Sequence, residues 1–118
     1  MKVLIVDDNQ NITDLLSRFL KAKGIDNFVT NNPRDGLECI KEEKYDVVLL
    51  DISMPEFSGI DIIQTLEKEK RLKDQKIVIF SANVFTEKQI NDLLKMEGVH
   101  DCLKKPIALD KLLTIIAS

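Results

Sequence analysis

Residues 46–59 read Asp46-Val47-Val48-Leu49-Leu50-Asp51-Ile52-Ser53-Met54-Pro55-Glu56-Phe57-Ser58-Gly59, and this stretch decides the fold. Its apolar run, residues 47–50, contains β-branched members and is closed on both sides by aspartate. A run of that kind, bounded by turn residues and lacking polar alternation, reads as a strand covered on both faces, as strands of parallel sheets are. Asp51 then stands at the carboxyl end of the strand, where open α/β sheets place their ligands. A second strand of the same make, Val3-Leu4-Ile5-Val6, runs into Asp7-Asp8. Two buried strands that both end in acid imply a cluster of negative charge at one rim of a sheet.

Working outward, strand-like runs recur at residues 28–30, 77–80 and around 102–103, separated by stretches with helical periodicity. Ile12, Leu15, Leu16, Phe19 and Leu20 follow the template of a helix with one apolar face, ended by Gly24 after Lys21 and Lys23. Asn32-Pro33 opens a second helix that buries Leu37 and Ile40. A third starts near Gly59 and turns Ile60, Ile63 and Leu66 inward. Thr86-Glu87-Lys88-Gln89 is a capping box opening a fourth, with Ile90, Leu93 and Leu94 inward, and Leu109, Leu112, Leu113 and Ile116 mark the last. Five β-then-α units predict an α/β fold: a five-stranded parallel sheet, doubly wound, with helices on both faces. Five units are too few for the eight-fold barrel, so the sheet is open.

A chain of 118 residues, 44% hydrophobic and 31% charged, is one soluble globular domain spanning residues 1–118. Its net charge of −3 argues against direct nucleic-acid contact. No apolar stretch approaches the ~18 residues of a membrane span, and the short run before Asp7-Asp8 is no signal peptide. Cys39 and Cys102 lack metal-ligand spacing and His100 is the sole histidine, so a zinc site is not expected. Two isolated thiols fit a reducing cytoplasm.

The strand ends converge on one edge: Asp7 and Asp8 after the first, Asp51 after the third, Ser81 after the fourth, and Lys104-Lys105-Pro106 after the fifth. Thr30-Asn31, after the second, reads as helix capping. Two carboxylates ~4 Å apart repel by ~4 kcal/mol at an effective dielectric of about 20, so the cluster calls for a cation. Hard oxygen ligands without histidine or thiolate select Mg²⁺ or a similar ion. Carboxylates, Mg²⁺, lysine and a hydroxyl together suit phosphoryl transfer, with one carboxylate carrying the group as an aspartyl-phosphate. Each residue alone also has a plain structural reading: a strand-end aspartate caps a helix, a lone serine caps, and a lysine pair is solvated.

Taken in order, Val6-Asp7-Asp8, Leu50-Asp51 with Met54-Pro55 and Gly59, Ser81-Ala82 and Lys105-Pro106 resemble the response-regulator receiver domains of two-component phosphorelay signalling, over essentially the whole chain. The resemblance implies a flavodoxin-like sheet of order 2-1-3-4-5. It implies that Asp51 accepts a phosphoryl group from a phosphohistidine of a sensor histidine kinase or phosphotransfer protein, with Mg²⁺ as cofactor. Asp8 binds the metal directly, Asp7 assists, Asp51 shares it, and Ser53 lends a backbone carbonyl. Ser81 bonds a phosphoryl oxygen and acts as a switch, Lys105 pairs with the phosphoryl oxygens, and the Lys105–Pro106 bond is cis. Ser53 and Asn83 stand where relatives tune water access to the acyl phosphate.

One position departs from the pattern. Relatives carry an aromatic switch residue three places before the lysine, and this chain has Cys102 there. The implied role is a signalling domain that catalyses only its own phosphorylation and dephosphorylation, and that acts on a downstream protein target without membrane contact. The sequence ends with its last helix, consistent with a stand-alone regulator or with part of a longer one, and dimerisation through the fourth or fifth helix stays open. Two other classes compete. A Mg²⁺-dependent aspartyl-phosphate phosphohydrolase of the haloacid dehalogenase type needs a second acid two residues after its nucleophile, where this chain has Ser53. A flavodoxin-like cofactor binder needs a phosphate-cradling loop where this chain has Asp7-Asp8-Asn9.

Overall fold

The alternation written in the sequence is the order of elements in the computed structural model, which describes residues 1–82 and 85–118. The elements are β1 (Lys2–Val6), α1 (Gln10–Ala22), β2 (Asp26–Thr30), α2 (Pro33–Glu42), β3 (Val47–Asp51), α3 (Gly59–Lys68), a 3₁₀ turn (Leu72–Asp74), β4 (Ile77–Ser81), α4 (Glu87–Leu94), β5 (Val99–Lys104) and α5 (Leu109–Ala117). All strand pairings are parallel and the order is β2-β1-β3-β4-β5. The fold is therefore the doubly wound, flavodoxin-like α/β arrangement expected.

Side-chain alternation splits the core into two layers. Val3, Ile5, Val47, Leu49, Val78 and Phe80 pack against Leu16 and Leu20 of α1 and Leu112 and Ile116 of α5. Their neighbours Leu4, Val6, Val48, Leu50, Ile77 and Ile79 pack the other way, against α2, α3 and α4. With both faces covered, β3 is buried at every position, which explains why its sequence shows no polar alternation.

Helix ends follow their signals. Asn32 Oδ1 accepts from the N–H groups of Arg34 and Asp35 ahead of Pro33, and Thr86 and Gln89 form the reciprocal capping box. Gly24 ends α1 at φ 75°, a left-handed conformation that glycine adopts without penalty. A second box, Ser58 with Asp61, starts α3.

The inward faces differ in three places from the apolar template. Leu15 is 54% exposed, and the fully covered positions of α1 are Thr13, Leu16 and Leu20. In α3 it is Ile62, with Ile63 and Leu66, that is fully buried, while Ile60 is half-buried. In α4 only Leu93 is buried, with Ile90 and Leu94 half-buried. The last strand extends over Val99–Lys104, longer than its apolar residues suggested, because as an edge strand it has polar residues half-open to solvent. No helix among the described residues is long and apolar enough to cross a membrane.

Candidate functional site

Register builds the site. Val6 lies opposite Leu50 across the β1–β3 ladder, so the next residue on each strand, Asp7 and Asp51, emerges side by side at the carboxyl edge. Asp51 lies opposite Phe80 on β4, one residue before Ser81, and Ser81 lies opposite Lys104 on β5. The Lys105 N–H donates to the Ser81 carbonyl at 2.9 Å, which fixes the start of the loop carrying the lysine, and the Lys105–Pro106 bond is cis.

Oxygen atoms of Asp7, Asp8 and Asp51 lie within 4.8 Å of one another, with Asp7 and Asp51 buried and Asp8 exposed at the mouth. Lys105 Nζ bridges the two buried carboxylates, 3.0 Å from Asp7 Oδ2 and 3.1 Å from Asp51 Oδ2. The other oxygens are held by backbone: Asn9 N–H donates to Asp7 Oδ1 at 2.9 Å and Ser53 N–H to Asp51 Oδ1 at 2.8 Å. Burial pushes the Asp7 carboxyl from the ordinary 3.8 up to about 6, and the Asp51 charge adds to the rise against the opposing pull of Asn9 N–H and Lys105. Burial works to lower Lys105, but the Asp7 and Asp51 carboxylates outweigh it and hold the ammonium above its ordinary value.

One lysine does not balance three carboxylates. Asp7 Oδ2 is fully buried, and its contact there is the ion pair with the Lys105 ammonium at 3.0 Å. Two buried carboxylates sharing one ammonium within an all-oxygen donor set fit a hard divalent cation of the Mg²⁺ type, with exposed Asp8 open to it from the solvent side.

The remaining site residues fall outside this knot. Ser81 is buried, and its Oγ lies 3.6 Å from Cys102 Sγ, within hydrogen-bonding reach for sulfur. Cys102 is half-buried and burial pushes its thiol up, which keeps it protonated and unreactive. Lys104 is exposed, and the ion pairs to the acids come from Lys105. Ser53 is exposed, and Asn83 lies outside the described residues. His100 is a surface residue paired with Ser118 Oγ at 2.8 Å.

Two residues that the sequence reading named for other reasons contribute to the site. Gly59 begins α3 so close to β3 that an added Cβ would collide with the Asp51 carbonyl and come within 2.9 Å of Ile52 Cα. Asn31, read as a cap, caps nothing: Asn32 does that, and the Asn31 carboxamide reaches back to the Asp7 carbonyl. A second asparagine beside a sufficient cap was the one signal available.

Comparison with known proteins agrees with this geometry. The family model of the response regulator receiver domain matches residues 3–117. The CpxR homolog of Haemophilus influenzae, a transcriptional regulatory protein, is 36% identical over 108 residues, covering 89% of this chain and 44% of its own length. The polar-differentiation response regulator DivK of Brucella anthropi is 27% identical over 116 residues, covering 98% of this chain and 93% of its own. This chain thus spans under half of the first relative and nearly all of the second. Among solved structures, the receiver domain of the Francisella response regulator 1452 superposes with a TM-score of 0.85 at 31% identity, covering 98% of this chain and 93% of that one. The five parallel strands, the acid cluster at their edge and the match over residues 3–117 place this chain in the response regulator receiver domain family of two-component signalling.

Proposed function

We propose that residues 1–118 form one phosphoacceptor domain that takes a phosphoryl group onto Asp51 in a Mg²⁺-dependent reaction. The observation that carries this reading is the shared ammonium: Lys105 within 3.1 Å of both buried carboxylates, with Asp8 completing the cluster.

In this reading Asp8, Asp51 and the Ser53 carbonyl hold the metal, with Asp7 behind them. Mg²⁺ bound there supplies positive charge to the equatorial phosphoryl oxygens. A carboxylate oxygen of Asp51 attacks phosphorus and the phosphorus–nitrogen bond of the donor phosphohistidine breaks. The electron pair leaves with the imidazole, which takes a proton from solvent. Lys105 moves its ammonium from the Asp51 carboxylate onto the new phosphoryl group. Ser81 Oγ gives up Cys102 Sγ to donate to a phosphoryl oxygen, and that displacement is the start of the signal. Water later attacks phosphorus, releasing inorganic phosphate and restoring the carboxylate. The donor is a sensor histidine kinase or a phosphotransfer protein, the recipient of the signal is a downstream protein, and the setting is the cytoplasm.

Treatment with acetyl phosphate and Mg²⁺ is expected to give acid-labile, hydroxylamine-sensitive phosphate in the parent and none in Asp51→Asn. Full labelling of that variant rules Asp51 out as acceptor.

A further inference from the structure

The turn that carries Asp7 and Asp8 is gripped from outside by one side chain. Asn31, just past β2, donates from Nδ2 to the main-chain carbonyl of Asp7 at 2.8 Å and to Thr13 Oγ1 at 3.0 Å. Thr13 is fully buried in α1, and its hydroxyl donates in turn to the Gln10 carbonyl at 3.1 Å. Asp7 opens the turn and Gln10–Thr13 is the first turn of the helix that follows, so Asn31 is bonded at both ends of the segment holding the two acids. The neighbouring backbone link between the strands is slack by comparison, with Asp7 N–H to Thr30 carbonyl at 3.3 Å. Helix α2 does not need Asn31, since Asn32 Oδ1 accepts from Arg34 at 2.9 Å and from Asp35 at 3.2 Å.

Repulsion gives this clamp a task. Three carboxylates with oxygens within 4.8 Å of one another relax most easily if the exposed member swings outward, and Asp8 is that member. A turn tied at one end only could make that movement. Asparagine suits the post because its amide group supplies two donors to two acceptors, the carbonyl and the hydroxyl.

The geometry points to Asn31 as a positioning residue for divalent-cation binding, one that touches neither carboxylate but holds the β1–α1 turn so that Asp7 and Asp8 face Asp51 together. This inference rests on the cation site of the phosphoacceptor reading. Groups that orient metal ligands from behind typically govern about ten- to a hundredfold in affinity.

The test titrates Mg²⁺ alone into ¹⁵N-labelled parent, Asn31→Ala, Thr13→Val and the double variant, following backbone amide shifts at Asp8 and Asn9 under conditions where circular dichroism shows each protein folded. Asn31→Ala is expected to weaken Mg²⁺ binding by about tenfold or more. Thr13→Val removes one bond of the clamp and is expected to cost about threefold. The double variant should bind no more weakly than Asn31→Ala, because both substitutions act through one clamp.

A readout without metal separates positioning from general stability. Exchange of the Asn9 amide, which donates to Asp7 Oδ1, should quicken in Asn31→Ala while amides of β1 and β3 keep their protection. Affinity of Asn31→Ala within about twofold of the parent, or exchange quickened uniformly across the sheet, overturns the assignment. Should Asn31→Ala fail to fold, Thr13→Val decides alone, and unchanged affinity there counts against the clamp. A parent that ignores Mg²⁺ overturns the phosphoacceptor reading and this inference with it. A responding parent with an indifferent Asn31 variant overturns this inference only.

Discussion

Asp7 is held in its charged form at a cost to the fold. Its carboxyl is buried, and burial raises it to about 6 from the ordinary 3.8. A raised folded value means that the favourable contribution is complete below the unfolded value and is lost as pH climbs through the folded one. Metal-free protein should therefore lose stability between about pH 4 and pH 6 on this residue's account, by on the order of 2–3 kcal/mol. Asp7→Asn removes that loss. Urea denaturation in chelator should show the variant more stable than the parent at pH 7.5 and level with it near pH 4; a variant equally unstable at both would remove Asp7 as the cause. Cys102 supplies a second prediction at this scale. Its thiol touches Ser81 Oγ at 3.6 Å but none of the carboxylates, so Cys102→Tyr is expected to change partner binding and leave acetyl-phosphate labelling at the parent level. Loss of labelling in that variant would put position 102 inside the chemistry. Asp8, Asp51 and Lys105 were legible because each ends a strand and parallel strands end on one edge. Asn31 was not, since its partner Asp7 lies 24 residues away in sequence and is reached by a side chain.

At the level of elements, α3 is the piece whose start matters most. Gly59 is buried against the backbone of Asp51 and Ile52, where even one methyl has no room. Gly59→Ala must push α3 away from β3, and overpacking of this kind costs about 1–3 kcal/mol. Because the obstructing atoms belong to Asp51, the variant should also label more slowly with acetyl phosphate, whereas a purely thermal defect would leave the rate of the folded protein intact. Capping boxes and glycine stops were readable because they are local: Thr86 with Gln89, Asn32 before Pro33, and Gly24 all act within one turn of the chain. Burial within each helix was less readable. The apolar template admits Leu15 and skips Thr13, yet the structure buries Thr13, whose hydroxyl is bonded to Asn31 and Gln10, and leaves Leu15 out. A bonded hydroxyl is as acceptable inside as a methyl group, and hydropathy alone does not register the bond. The same limit shortened β5, whose His100 and Asp101 carry strand backbone without strand-like hydropathy.

For the molecule as a whole, the proposed cation site and the fold are linked. Two layers of apolar side chains hold β1 and β3 so firmly that their terminal acids, Asp7 and Asp51, cannot part to relieve repulsion. A ligand that binds the folded state alone stabilises it by mass action, ~2.7 kcal/mol when present at about a hundred times its dissociation constant. Saturating Mg²⁺ should accordingly raise the urea midpoint of the parent, and Asp8→Ala should lose most of that rise; a rise of equal size in the variant would take Asp8 out of the cation site. The central claim is that phosphate arrives on Asp51 and on no other acid of the cluster. Borohydride reduction of the acetyl-phosphate-treated protein, which converts an aspartyl-phosphate to homoserine, followed by peptide mass spectrometry, tests it most directly. Homoserine at position 51 alone is the predicted result, and homoserine at position 7 or 8, or at none of the three, would contradict it.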